Sequence, residues 1–125
     1  MKPQSTGGQK QPAPLVYHSD FSEQDYSVTF LITSYLNGNL ALMLQTEQDG
    51  VTEDYATITV NFSDELLSPN QAYLDTNNMP EVEKFIEDNR LGKPTGRTKV
   101  SGFCTYPLYE FDLFRLMAHG VLAKP

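Results

Sequence analysis

The sequence predicts an α+β domain with an antiparallel three-stranded meander, one or two further short strands, and two helices packed on one face of the sheet. Apolar and polar residues alternate from Tyr26 to Phe62. Alternation with a period of two is typical of strands that bury one face. Asn-Gly-Asn at residues 37–39 interrupts the alternation. This sequence is typical of the turn of a β-hairpin. Two later stretches have the apolar spacing of short helices.

The turns predict the register of the meander. A three-residue loop at 37–39 keeps the apolar side chains of the first two strands on one face, whereas a slip by one residue does not. A second turn, centred on Gly50, continues the meander into a third strand. The predicted pairs are Leu36–Leu40 and Ile32–Leu44 across the first turn, and Leu44–Ala56, Leu42–Ile58 and Leu40–Val60 across the second.

The second half of the chain predicts the remaining elements. Asn78 stands three residues before Glu81, which is the spacing of a helix-capping box. This first helix is expected to end at Leu91-Gly92, a C-cap pattern. The other expected elements are short strands at 71–75 and 102–108, an exposed loop at 93–101, and a second helix at 109–119. The aromatic residues of 103–114 are expected to form core between this second helix and the sheet.

The chain of 125 residues has the length of one domain. We expect residues 1–14 to form a disordered tail, because they are polar and rich in Gly and Pro. Residues 15–125 are expected to form the single folded domain. The one cysteine, Cys104, cannot form an internal disulfide, and no apolar run approaches the roughly 18 residues of a membrane span. These features predict a cytoplasmic protein with no membrane partner.

Charge is distributed unevenly along the chain. The net charge is −7, and an acidic protein repels the phosphates of nucleic acid at long range. Nucleic acid is therefore a disfavoured partner overall. Residues 90–99 reverse this trend, since they contain Arg90, Lys93, Arg97 and Lys99 and no acid. A local contact with an acidic or phosphate-bearing partner and a solvated basic loop are both open interpretations of this segment.

Candidate binding residues come from two polar segments at opposite ends of the first predicted helix. If the helix holds the segments about 15 Å or more apart, they form two separate turns, and otherwise they share one surface. An aromatic residue of the following strand joins the set. The candidates are Asp75, Asn77, Asn78, Lys93, Arg97, Lys99 and Tyr106.

No catalytic residue, metal site or cofactor is predicted. Residues 93–97 contain Lys, Thr and Gly, but they lack the spacing of a phosphate-binding P-loop and follow a helix instead of preceding one. One cysteine and two distant histidines, His18 and His119, do not make a zinc site. Cys104 is expected to be a buried structural thiol.

Three segments together resemble a known protein family. They are SPNQAYLDTNN (68–78), LGKPTGR (91–97) and SGFCTYPLYEF (101–111). They resemble the DUF4313 family of small bacterial proteins of unknown function, over about residues 26–117. The resemblance implies an accessory protein of a mobile genetic element. It implies no catalytic residues.

Three functional hypotheses follow. The first is a non-enzymatic interaction or regulatory protein, with a partner surface at residues 69–80 and 92–102 and another protein as partner. The second is an acidic antagonist that mimics nucleic acid, with a continuous acidic face from residues 47–54, 64–65 and 81–88. The third is a small enzyme with a pocket near Asp75 and Arg97, completed by Asn77, Cys104 and Tyr106. The oligomeric state is left open.

Overall fold

The structure is a computed structural model and describes residues 11–123. Residues 1–10 of the predicted tail lie outside the described residues. Residues 11–14 have no regular secondary structure. Within them, the backbone N–H of Ala13 donates to the carbonyl of Ala118 at 3.0 Å, so this segment runs beside the end of the chain.

The first sheet contains a four-stranded antiparallel meander in the order β1-β2-β3-β4. A ninth strand, β9, pairs in parallel with β2 through Phe30 and Gly120. The strands are β1 (Leu15–Ser19), β2 (Gln24–Ser34), β3 (Leu40–Gln48), β4 (Val51–Thr57) and β9 (Gly120–Leu122).

The second sheet has four antiparallel strands in the order β5-β6-β8-β7. Two helices complete the described chain. The strands are β5 (Thr59–Val60), β6 (Gln71–Leu74), β7 (Gly92–Ser101) and β8 (Cys104–Phe111), and the helices are α1 (Val82–Asp88) and α2 (Leu113–Ala118). Neither helix has the length and apolar character that crossing a membrane requires.

The predicted antiparallel α+β class is confirmed, but the meander has four strands and not three. Residues 15–19 add β1, which pairs with β2 from Leu15↔Val28 to Ser19↔Gln24. Only two residues of this strand, Tyr17 and Ser19, are buried. So short an alternation was too weak to predict a strand.

The predicted register of the first hairpin is wrong by two residues. Leu40 lies opposite Ser34, and Leu44 lies opposite Phe30. A shift of two preserves the buried face, but it leaves Leu36 fully exposed in the turn. The loop closes over residues 36–38, because Gly38 takes a φ of +91° and the N–H of Tyr35 donates to the carbonyl of Asn39 at 2.9 Å. Asn39 is buried, and its side-chain amide donates to the carbonyl of Glu65 at 2.7 Å.

The predicted pairing across the second turn is correct in part. Leu44 lies opposite Ala56. The N–H of Ile58 donates to the carbonyl of Leu42 at 2.9 Å. The predicted Leu40–Val60 pair is wrong, because Val60 has crossed to the second sheet and lies opposite Tyr73. Residues 57–60 therefore carry the chain from one sheet to the other.

The first helix begins three residues later than predicted. The Asn78 cap is wrong because Asp75 organises a separate turn: the N–H of Asn78 donates to Asp75 Oδ1 at 3.2 Å, and the N–H of Met79 donates to the Asp75 carbonyl at 3.0 Å. α1 then starts after Glu81, whose carboxylate accepts hydrogen bonds from the Tyr17 hydroxyl and from the Asp20 N–H.

The predicted loop at 93–101 and the first turn of the predicted second helix are strands. β7 is an edge strand with mostly exposed side chains, so it lacks the apolar alternation that reveals a strand. β8 continues to Phe111 because both of its faces are covered around Leu108 and Tyr109. Asp112 then caps the short α2, accepting from the N–H of Arg115 at 3.2 Å.

The core forms where α1 meets both sheets. The ring of Phe85 lies 4.8 Å from that of Tyr17 on β1 and 6.2 Å from that of Phe30 on β2, measured between centroids. From the second sheet, the hydroxyl of Tyr109 lies 2.7 Å from Glu83 Oε1 and 2.5 Å from Glu87 Oε2. Burial and these carboxylates raise the pKa of Tyr109, which keeps the hydroxyl protonated and able to donate.

We expect Phe85→Ala to lower the free energy of unfolding by about 3–5 kcal/mol, because it empties a buried aromatic position between α1 and the first sheet. Chemical denaturation measures the change. The matched control is Phe21→Ala, since Phe21 is fully exposed and its loss should change stability by no more than about 0.5 kcal/mol. Equal losses for the two variants would contradict the described core.

Candidate functional site

The turn at 75–78 and part of the basic segment meet at one end of the second sheet. Asp75 follows β6 directly, and the next residue, Thr76, donates from its hydroxyl to the carbonyl of Thr105 on β8 at 3.5 Å. Lys99 on β7 lies opposite Tyr106 on β8. The turn at 75–78 and the far end of the β7–β8 hairpin are therefore neighbours. We call this region, residues 75–78 and 97–106, the hairpin end.

Lys93 does not belong to the hairpin end. It lies opposite Glu110 near the start of β7, several residues further along the hairpin. Its Nζ is 4.0 Å from Glu110 Oε1, and its side chain is largely exposed. The basic segment predicted from the sequence is thus divided between the two ends of one strand.

Glu65 holds two of the candidate cations. Arg97 Nη2 is 3.0 Å from Glu65 Oε2, and Lys99 Nζ is 3.0 Å from Glu65 Oε1. The hydroxyl of Tyr73 donates to Glu65 Oε2 at 2.9 Å. The side chain of Glu65 is only 20% exposed. The cations therefore already have a carboxylate partner within the chain, and an external acid must compete with it.

The surroundings of Glu65 act on its pKa in opposite directions. Partial burial raises the pKa, while hydrogen bonds from Lys99 and Tyr73 and the positive charges of Lys99 and Arg97 lower it. The lowering effects win, and the pKa lies below its usual value of 4.5. Glu65 is consequently an anion at neutral pH and keeps both ion pairs.

Aromatic rings pack beside the Glu65 ion pairs on the outer face of the second sheet. Lys99 Nζ lies 4.9 Å above the ring of Phe62, which is within the range of a cation–π interaction. Phe62 packs edge-on against Tyr73 at 5.3 Å and lies 6.0 Å from Tyr106. Residues 61–70 are thereby attached to β6, β7 and β8.

The tip of the hairpin presents apolar side chains to solvent. Gly102 turns the chain with a φ of +63°, and the adjacent Phe103 is fully exposed. Val100 is also exposed. The prediction of Phe103 as core is therefore wrong, because β7 and β8 extend beyond the region that α1 covers.

Cys104 is half-buried. The prediction that it is a buried structural thiol is therefore wrong. Its thiol is the main cause of a raised pKa of the Tyr106 hydroxyl. The negative charge of Asp75 acts in the same direction. Tyr106 is thus a neutral hydrogen-bonding group near the turn at 75–78.

The cleft that contains Asp75 does not join the residues of the enzyme hypothesis. It has a volume of about 650 Å³ and is lined by β1, β4 and residues 75–81. Asn78 contributes to its wall, whereas Arg97, Cys104 and Tyr106 do not. Within residues 11–123, no group of three His, Cys, Asp or Glu residues is placed to hold a metal ion.

A second surface was missed by the sequence patterns. A groove of about 430 Å³ lies between α2, β9 and the ends of β2 and β3. The sequence assigned most apolar residues of 109–119 to the core, but α2 buries only Leu116. α2 has only six residues, and the spacing of its apolar residues does not reveal how short it is.

A family model matches the second sheet, the hairpin end and most of the first sheet, but not β1. The family model described as Domain of unknown function (DUF4313) matches residues 29–120. The chain belongs to the DUF4313 family. Within the match lie Glu65, its cationic partners and all of α2, so these features are part of the DUF4313 domain. No curated protein and no solved structure matches the chain.

We expect Glu65→Gln to lower the free energy of unfolding by about 1–2 kcal/mol at neutral pH, because it removes the charge that two cations and a tyrosine hydroxyl contact. Glu53→Gln is the control, since Glu53 is exposed and forms no ion pair within residues 11–123. Thermal and urea denaturation measure both variants.

The difference between the wild type and Glu65→Gln should depend on pH in one direction. The folded-state pKa of Glu65 is lowered from 4.5, so its stabilisation is fully present above that pH. It is lost as the pH falls through the folded-state value. A difference that grows on acidification would contradict the assigned ion pairs.

Proposed function

We propose that this DUF4313 protein is a non-enzymatic interaction protein that binds a protein partner through the hairpin end. The observation that carries the proposal is the full exposure of Phe103 at the tip of the β7–β8 hairpin. Exposed apolar groups rimmed by polar residues are typical of interaction sites. Asp75, Asn77 and Asn78 supply such a rim beside the tip.

The chemistry of the hairpin end defines the partner surface it fits. Phe103 and Val100 offer apolar contact, and Arg97 offers a guanidinium whose side chain is 63% exposed. Aromatic residues and arginine contribute disproportionately to binding energy at protein interfaces. The partner surface should therefore have an apolar pocket for Phe103 beside a carboxylate for Arg97.

The arrangement at Glu65 also limits what the cations can do. Arg97 and Lys99 share one carboxylate, so the local positive charge is small. A phosphate-rich ligand such as nucleic acid gains little from it, because such binding depends on several uncompensated cations. This supports a protein as the partner.

The setting we propose is the bacterial cytoplasm, where the protein acts as an accessory factor of a mobile genetic element. The resemblance to DUF4313 supports this setting. A protein that acts by contact also needs no cofactor, metal or catalytic residue.

The two alternative functions have less support. An acidic mimic needs uncompensated carboxylates on one face, but Glu65 is paired with two cations and Glu83 and Glu87 lie against the hydroxyl of Tyr109. An enzyme needs a pocket that collects its reacting groups, and the cleft at Asp75 is separate from Arg97 and Cys104.

We expect Phe103→Ala and Arg97→Ala each to weaken binding of the partner by about tenfold or more, as truncation of interface anchors does. The partner is first identified by affinity purification with the wild-type chain from cells that produce it naturally. Calorimetric titration with the purified partner then measures the affinity of each variant.

Val51→Ala is the control for this experiment. Val51 is exposed at the start of β4 in the first sheet and does not line the cleft at Asp75. Its removal should leave the affinity unchanged. Unchanged affinity for Phe103→Ala, or an equal loss for Val51→Ala, would reject the proposed surface.

A further inference from the structure

The outward face of α2 is unusually apolar for a solvent-exposed helix. Three of its six residues have large apolar side chains that are exposed, and β9 contributes a fourth large apolar side chain beside them. The exposed fractions are 89% for Phe114, 51% for Met117, 36% for Leu113 and 60% for Leu122. We call these four residues the α2 face.

A concave apolar groove adjoins this convex face. Leu113, Met117 and Leu122 form one wall of the 430 Å³ groove, and Ile32, Leu40 and Pro69 contribute to the remainder. Every residue that lines it is uncharged. Phe114 projects next to the groove and is almost fully exposed. A projecting aromatic side chain beside an apolar groove is a self-complementary shape, because each can receive the other across a two-fold axis.

The apolar area of the α2 face approaches what a stable dimer requires of one protomer. With large apolar side chains of about 150–250 Å² each, the exposed fractions give the α2 face roughly 400 Å² of accessible surface. A standard interface buries about 800 Å² per partner, a little over half of it apolar. The α2 face therefore supplies close to the apolar area that one protomer must contribute.

The charges on α2 are compensated within the helix. Arg115 Nε lies 3.7 Å from Asp112 Oδ2, and both side chains are about half exposed. The α2 face therefore carries no unpaired charge that would repel a second copy or select a charged partner. When two copies of α2 pack antiparallel about a two-fold axis, Leu113 of one copy approaches Phe114 of the other, as an isologous interface requires.

We infer that the α2 face and the adjoining groove form a two-fold interface between two copies of this chain. This interface is separate from the hairpin end, which belongs to the other sheet. A dimer carries two hairpin ends, so it can hold a partner at two points and gain avidity without any new contact.

The test is sedimentation velocity on the full chain over a concentration series from about 1 to about 200 μM, a range that detects micromolar dimers. The wild type should shift from the mass of one chain to the mass of two. Phe114→Glu and Met117→Glu should remain at the mass of one chain throughout. Because both side chains are exposed, their circular dichroism and melting temperature should match those of the wild type.

Phe103→Glu serves as the control, because it places the same charge on an exposed aromatic position of the hairpin end. It should dimerise as the wild type does, even if it loses the partner. Failure of the dimer and failure of the proposed function are therefore distinguishable. A wild type that keeps the mass of one chain at every concentration overturns the inference, as does a Phe114→Glu variant that still dimerises.

Chemical cross-linking tests whether the two copies are related by the proposed two-fold axis. Phe114→Cys in a Cys104→Ser background places the only thiol of the chain close to the proposed axis. A short bis-maleimide should link two copies through it in high yield, whereas Phe21→Cys in the same background should give no linked dimer. Equal yields from the two variants would reject the two-fold arrangement.

Discussion

The contacts of α1 with the two sheets determine the rest of the structure. Phe85 packs on Tyr17 and Phe30 of the first sheet, and Tyr109 of the second sheet lies against two carboxylates of the same helix. A helix of seven residues is too short to be stable alone. It depends on this enclosure, and its side chains belong to the core that the two sheets share.

This arrangement determines which parts of the surface remain available for binding. Side chains of α1 pack in the core that both sheets share, so the exposed apolar groups lie at its margins. One margin is the hairpin end, where β7 and β8 extend past the core. The other is the α2 face, where the helix buries only Leu116. Glu65 gives the hairpin end a defined shape, because it fixes Arg97 and Lys99 against residues 61–70.

The sequence predicts the fold class and most of the first sheet, because these depend on local alternation. It misses β7 because the side chains of an edge strand are exposed and carry no apolar period. It also misses the end of β8, since Tyr109 and Phe111 fit a helical spacing as well as a strand. The pairing of Glu65 with Arg97 joins residues 32 apart in the chain, and local sequence patterns do not encode such a contact. Asp75, Lys99 and Tyr106 are predicted candidates that the fold does bring to one end, whereas Lys93 is separated from them.

The central claim is that the protein acts by contact through the hairpin end. Hydrogen–deuterium exchange with and without the purified partner tests it most directly. The account predicts that the partner slows exchange at residues 75–78 and 97–106 and leaves β3 and β4 unchanged. Protection confined to β1, β4 and residues 79–81, around the cleft at Asp75, would contradict the account and favour a ligand site there.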